Sequence, residues 1–279
     1  MEWPRLKNII IIILLVVNGF LLVLVGARRE ESASYERMAL EQTVQVLERS
    51  GIQVELGAVE PAEGLAPITA DRDLEREASL AQALLDEPVQ GENRGGGLYL
   101  YRGARGEVSI RAGGELAAEL ERDERWQAPY PEEHAAALLK ELGVDAVRSG
   151  MSEEDGLTAV RFRQSWNGRL VFSCEVELVY REGYLTALRG TLVTAESGTA
   201  EAGTALALPT ALMRFSEEVG AAGDVCSAIR SMEAGYWSFA QSLSGGCRLT
   251  PVWLVSTDTA DYYLDCLTGA LTRLADRGT

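Results

Sequence analysis

The chain predicts an α+β fold: one N-terminal transmembrane helix followed by an extracytoplasmic region of repeated helix-plus-antiparallel-meander units. Three observations predict it. The stretch from Ile9 to Val25 carries no charge and only one strongly polar side chain, Asn18. Beyond it, segments with helical apolar spacing give way to alternating segments separated by Gly-containing turns. That order, helix and then strands, occurs three times along the chain.

The apolar stretch comes first. Extended to Ala27 it makes about 28 Å of helix at 1.5 Å per residue, close to the thickness of a bilayer core. Arg5 and Lys7 precede it and can snorkel to a headgroup layer, and Trp3 sits where an interfacial aromatic would lie. A cleavable signal peptide is the rival, with Val25 and Ala27 as the small residues before a cut at Arg28. The apolar run is longer than a secretory core, which favours an uncleaved anchor. Arg5 and Lys7 are matched by Arg28 and Arg29 on the far side, so the basic count hardly sets orientation. A short cytoplasmic tail with the bulk outside is the expected arrangement. Asn18 is an amide inside hydrocarbon, where it can drive helix association or bond its own helix carbonyls, and Gly19 beside it permits close backbone approach.

The elements follow in order. Residues 30–50 read as a helix, with Tyr35, Met38, Leu40, Val44 and Leu47 near helical spacing and Gly51 as its stop. Ile52, Val54 and Leu56 alternate as a short strand. Residues 57–70, with Gly57, Pro61, Gly64 and Pro67, read as loop. Asp71 is placed as the cap of a helix running to about Leu85. Strands are expected at 97–103 and 107–112, followed by the segment from Glu115. Pro131 opens a helix through Leu142 that stops at Gly143. The strand from Leu157 meets Asn167-Gly168, a two-residue hairpin signal, and the return strand 169–180 alternates. Glu182-Gly183 turns into the strand from Tyr184. Pro209 opens the helix of a third unit, and strands follow near 225–239, 247–256, 262–266 and 270–274. The domain plan is therefore a cytoplasmic tail at 1–8, an anchor at 9–27, an α+β unit at 28–125 and a region of two such units at 126–279.

Composition narrows the function. The 279 residues hold 26 Lys+Arg against 42 Asp+Glu, a net charge of −16. Setting aside Glu2, Arg5 and Lys7 leaves 24 basic and 41 acidic residues beyond the anchor, a net of −17. Such a surface is repelled by phosphate backbones and by anionic lipid. The single histidine, His134, excludes any site needing two His ligands, and it reads as an exposed surface residue. Cys174, Cys226, Cys247 and Cys266 show no C-x-x-C spacing. They read as packed thiols, with one bridge in the last unit as the alternative. The acidic run Ser152–Asp155 reads as a solvated turn, and Asp258, Asp261 and Asp265 as acceptors of turn N–H groups. No phosphate-binding loop, nucleophile elbow or zincin motif occurs. No catalytic residue, metal or cofactor is implied.

Two stretches resemble the YycI (WalI) family of membrane-anchored regulators of the WalK/WalR two-component system. One is the N-terminus with Met1, Trp3, Arg5, Lys7, the Ile run, Asn18 and Phe20-Leu21-Leu22. The other holds Gly235-Tyr236, Leu249-x-Pro251-x-Trp253-Leu254-Val255, Tyr262-Tyr263-Leu264 and Thr268-Gly269, and also resembles PepSY-type modules. The resemblance implies a non-catalytic protein in the cytoplasmic membrane, N-terminus inside. Its implied partners are a sensor histidine kinase (WalK-like) and a YycH-like sister protein, met through Trp3, Arg5, Lys7, Asn18 and Gly19. Tyr236, Pro251, Trp253, Tyr263 and Gly269 carry over as fold elements, with Pro251 suited to a strand start. The competing expectation is an exported PepSY-like protease inhibitor that acts without its helix.

Overall fold

The computed structural model describes residues 13–15, 17–21, 35–241 and 245–274. Residues 13–15 and 17–21 are helical and exposed. The rest of the expected anchor, with Trp3, Arg5 and Lys7, lies outside the described residues. Among the described residues no helix is long and apolar enough to cross a membrane.

The folded region is a mixed α+β structure built on one large mixed sheet. It opens with α1 (residues 35–49), β1 (Gln53–Val54) and β2 (Ile68–Ala70). Three stretches of one helix and four strands follow. The first is α2 (Leu74–Leu85) with β3 (Glu92–Gly95), β4 (Leu98–Gly103), β5 (Gly106–Arg111) and β6 (Glu115–Leu120). The second is α3 (Pro131–Glu141) with β7 (Ala146–Glu154), β8 (Leu157–Trp166), β9 (Arg169–Arg181) and β10 (Tyr184–Thr191). A two-residue strand, β11 (Thr199–Ala200), precedes the third, α4 (Leu208–Ala222) with β12 (Ala228–Ala240), β13 (Cys247–Thr257), β14 (Asp261–Asp265) and β15 (Leu271–Arg273).

Local chemistry sets these elements. Asp73, rather than the expected Asp71, caps α2: its carboxylate accepts from Arg76 N at 2.9 Å. Pro131 opens α3 and Gly143 follows it at φ +66°. The hairpin tips Asp155-Gly156, Asn167-Gly168 and Glu182-Gly183 all have positive φ at both residues, as two-residue turns between twisted strands require. The segment from Glu115 is a strand because Leu116, Ala118 and Leu120 alternate inward. Two expectations are corrected. Residues 57–70 include β2, and Ser152–Glu154 belong to the edge strand β7, which pairs with β8. Both were obscured by composition, β2 by its Pro-rich approach and β7 by a polar sequence that an exposed edge tolerates.

The strands from β3 to β10 form an antiparallel run in the order β7-β8-β9-β10-β6-β5-β4-β3. The other strands gather around β12 and β13. β9 joins the two groups, pairing in parallel with β12 where Val171 stands opposite Tyr236. Two hydrophobic cores result. The first lies between α2, α3 and the antiparallel run, around Leu84, Val108, Ile110, Trp126, Leu139 and Leu178. The second packs Leu47 of α1, Ile68 of β2, Phe215 of α4, and Trp253 and Leu264 of the last strands. Residues 47–70 thus pack against 211–266, far away in sequence.

Candidate functional site

Where the two cores meet, a cleft of about 360 Å³ opens between α2, the loop after α3, the β8–β9 hairpin and residues 192–196. Its polar lining comes from Arg76, Asp145, Ser165, Asn167, Thr194 and Glu196, with Trp166 beside them. α2 delivers Arg76 one turn past its cap. The guanidinium donates to Gly143 O at 2.8 Å and Leu142 O at 3.3 Å, the carbonyl end of α3, where positive charge is favoured. It also pairs with Glu196 at 3.3 Å. Gln164 lies buried on β8, where its amide donates to Val193 O at 3.0 Å and accepts from Val193 N at 2.8 Å. One side chain thereby satisfies both main-chain groups of a buried residue.

Behind the cleft lies a buried ion pair. Arg72 Nε and Nη2 each donate to a separate oxygen of Glu77 at 2.8 Å, with side-chain exposures of 7% and 1%. Arg72 also donates to Gly97 O at 2.7 Å and Ile110 O at 3.3 Å, and its guanidinium lies 5.0 Å from the Tyr99 ring centre. Thr194 Oγ1 donates to Glu77 at 3.3 Å. The β2–α2 link, the first meander and the segment leaving β10 are therefore held at one point. Arg72, Arg76, Glu77 and Gln164 thus find their hydrogen-bond partners within the fold. Among the described residues no group of three His, Cys, Asp or Glu could hold a metal ion.

The residues weighed as chemical candidates are accounted for locally. His134 is half-buried rather than exposed, because α3 lays it across β9. Its Nδ1 is 2.9 Å from Tyr180 Oη, and its ring meets Trp126 and Tyr180 edge to face. Burial lowers its pKa, and burial also raises that of Tyr180. All four cysteines are unbridged. Burial pushes the Cys174 thiol up to about 12 and raises Cys226, Cys247 and Cys266, so the nucleophilic thiolate is suppressed. Asp258 accepts from Ser227 Oγ and from the backbone of Ser227 and Ala228, which lowers its pKa to about 2. Asp265 accepts from Leu267 N and Thr268 N, and Asp261 from Ser256 Oγ.

The residues singled out in sequence do not line this cleft. Asn18 and Gly19 are exposed on the helical residues 17–21. Tyr236, Pro251, Trp253, Tyr263 and Gly269 come together in and around the third meander. Tyr236 stands opposite Pro251, and Trp253, fully buried, donates Nε1–H to Glu60 O at 2.9 Å. Tyr263 stacks on Trp237 with ring centres 4.8 Å apart, and Gly269 turns β14 into β15 at φ +73°. Pro251 is inside β13 and not at its start. Its carbonyl accepts from Cys266 N, so its nitrogen faces the same side, in the gap between the β2 pairing that ends at Leu249 and the β14 pairing that begins at Val252. The absent N–H therefore removes no ladder bond. Sequence reasoning passed over Arg72, Arg76, Glu77 and Gln164. Two carried a usable signal: Gln164 interrupts the apolar alternation Val160, Phe162, Trp166, and Glu77 lies in the helical stripe with Leu80, Ala81 and Leu84.

No family model matches the chain, and no curated protein matches it. Among solved structures it is similar to the Bacillus megaterium YpeB C-terminal domain, with a TM-score of 0.38 and 10% identity, over 74% of this chain and 100% of that one. The likeness is distant and is one of fold alone.

Proposed function

We propose that the chain is a non-catalytic, membrane-anchored regulator. Residues 9–27 hold it in the cytoplasmic membrane with residues 1–8 inside and the folded region outside. There it modulates a WalK-like sensor histidine kinase, together with a YycH-like sister protein, through contacts of the span and of the extracytoplasmic domain. The observation that supports this reading is the uncharged apolar run from Ile9 to Val25 ahead of a folded α+β region. The first described helix of that region, α1, is packed into it, with Val44 and Leu47 at 6% and 1% exposure.

The span shifts the kinase between signalling states only by binding one better than the other. An interhelical amide contact at Asn18 is worth about 1–2 kcal/mol in model peptides. That corresponds to a change of roughly five- to thirtyfold in the ratio of the two states. Replacing residues 1–27 with a cleavable export signal tests the reading. The exported domain is expected to lose control of the kinase. Retained control would assign the activity to the free domain, as for an exported inhibitor, and would end the anchored reading.

A further inference from the structure

β7 (Ala146–Glu154) is a long strand at a free edge. Among the described residues it pairs with β8 alone, and residues 147–149 and 151–154 are exposed. The other strands with a single neighbour, β1, β3, β11 and β15, have two to four residues each. An open edge offers its main-chain N–H and C=O groups to another strand unless short length or charge of one sign prevents it. β7 has nine residues and carries both signs, Arg148 against Glu153 and Glu154. Two large apolar side chains also stand exposed on it, Val147 at 56% and Met151 at 46%. Its register with β8 slips by one residue between Arg148 and Gly150, a bulge at Ser149. The slip decides which side chains share a side. Arg148 and Met151 stand opposite Phe162 and Val160 of the first core, and Glu153 opposite Thr158, which in turn faces Tyr180 of that core. These three therefore occupy the helix-bearing side, where Arg148 also pairs with Glu132 of α3 at 2.5 Å. Ser149 is on the other side, where its Oγ donates to Glu175 Oε2 at 3.0 Å, and Ser152 stands there opposite Ala159.

We infer that β7 is the contact for a second copy of the chain, joined antiparallel about a two-fold axis at Gly150 and Met151. The strand of the copy then runs in reverse order. Arg148 faces Glu153, Ser149 faces Ser152 and Gly150 faces Met151, each pair occurring twice. The strand is complementary to itself in charge, side and size. Arg148 and Glu153 are of opposite sign and share the helix-bearing side, as a stabilising cross-strand pair requires. Ser149 and Ser152 meet on the other side, and at the ends Val147 and Glu154 meet there too. Five positions separate Arg148 from Glu153, which in a regular strand would put them on opposite sides; the bulge brings them to one. The change of side falls where Gly150, with no side chain, meets Met151, so nothing clashes and the exposed Met151 gains cover. An unrelated strand would satisfy the same main-chain groups but would not present this reversed order, so the copy is the occupant. The eight residues that meet, 147–154, are fewer than the roughly 20–30 per side of a standard interface, so the pair is reversible and depends on concentration. The contact uses none of residues 9–27 and is independent of the membrane-anchored reading.

The test uses the full chain in detergent, with Cys226→Ser to remove the most accessible native thiol. One preparation carries Ser149→Cys and a second carries Ser152→Cys. Mixed and mildly oxidised, the two are expected to link to each other about tenfold faster than either links to itself, because in this register like positions stand about 10 Å apart along the strands. Arg148→Glu in both preparations sets Glu against Glu and is expected to bring the mixed reaction down to the self-linking rate. Arg148→Glu in the first with Glu153→Arg in the second rebuilds both ion pairs between unlike chains and is expected to restore the rate. Equal rates in mixed and unmixed samples, no dimer, or a rate untouched by Arg148→Glu would overturn the pairing. Failure of the complementary mixture to recover would overturn the register that selects a copy. Cross-links at position 149 in native membranes that capture another protein in place of the copy would also overturn it.

Discussion

Glu77→Gln is expected to destabilise the first core far more than its conservative chemistry suggests. The carboxylate is 1% exposed and receives both arms of a guanidinium that is itself 7% exposed. Removing the negative charge leaves Arg72 charged, buried and uncompensated. Breaking a buried pair from one side costs about 3–5 kcal/mol. Gln keeps one acceptor oxygen, so the lower end, about 3 kcal/mol, applies. At about 1.4 kcal/mol per decade this is a hundredfold or more in opening equilibrium. The assay is urea unfolding of the full chain in detergent, with hydrogen exchange read at α2 and β5, where Arg72 also holds the Ile110 carbonyl. Exchange there should accelerate about a hundredfold, by the same arithmetic. The double change Arg72→Met with Glu77→Leu should recover part of the loss. It should still fall short of the parent by about 1–3 kcal/mol, because the carbonyls of Gly97 and Ile110 lose their donor. A loss below about 1 kcal/mol for Glu77→Gln, or a double variant weaker than the single one, would refute the claim that this pair holds the junction.

Further outcomes follow from the same geometry. Trp253→Phe removes the donor to Glu60 O and leaves a small cavity at a fully buried site, and should cost about 2–4 kcal/mol, seen as a lower thermal midpoint; an unchanged midpoint would show that neither the bond nor the packing contributes. Asp258 has a native pKa of about 2 against an ordinary 3.8, held down first by the Ser227 hydroxyl and then by backbone N–H groups. Its contribution is therefore complete above about pH 4 and is lost as pH falls toward about 2. Asp258→Asn should flatten that part of the acid-unfolding curve, and a carboxyl titration midpoint near 4 would contradict the assignment. Ellman's reagent should label Cys226, which is only half-buried, before the buried Cys174, Cys247 and Cys266, which should wait for denaturant. Gly190→Ala should destabilise β10, since at φ +146° its Cβ would lie 2.1 Å from Glu175 O; wild-type stability would show that the strand yields freely.

Much of this architecture was legible because local chemistry repeats. Asn167-Gly168 and Glu182-Gly183 announce tight turns, and the alternation of 169–180 sets which side of β9 is buried. Pro131 and Pro209 begin helices because a missing N–H costs nothing there. The less legible elements were those whose stability is borrowed. β2 is three residues long and exists because β13 offers it an edge, while β7 is polar and relies on β8. His134 looked like a surface residue beside Glu132 and Glu133, yet its ring is covered by Trp126 and Tyr180, which arrive from other elements.

Residue order alone established three helix-plus-meander units, the apolar N-terminal run and the acidic surface beyond it, because each depends on neighbours within a few positions. The two cores and the cleft between them were decided only on folding. Val171 meets Tyr236, and Thr194 meets Glu77, across separations that periodicity does not encode. Pairing partners for β9 and anions for Arg72 are chosen by which buried groups can be satisfied together, and that choice depends on the whole packed arrangement.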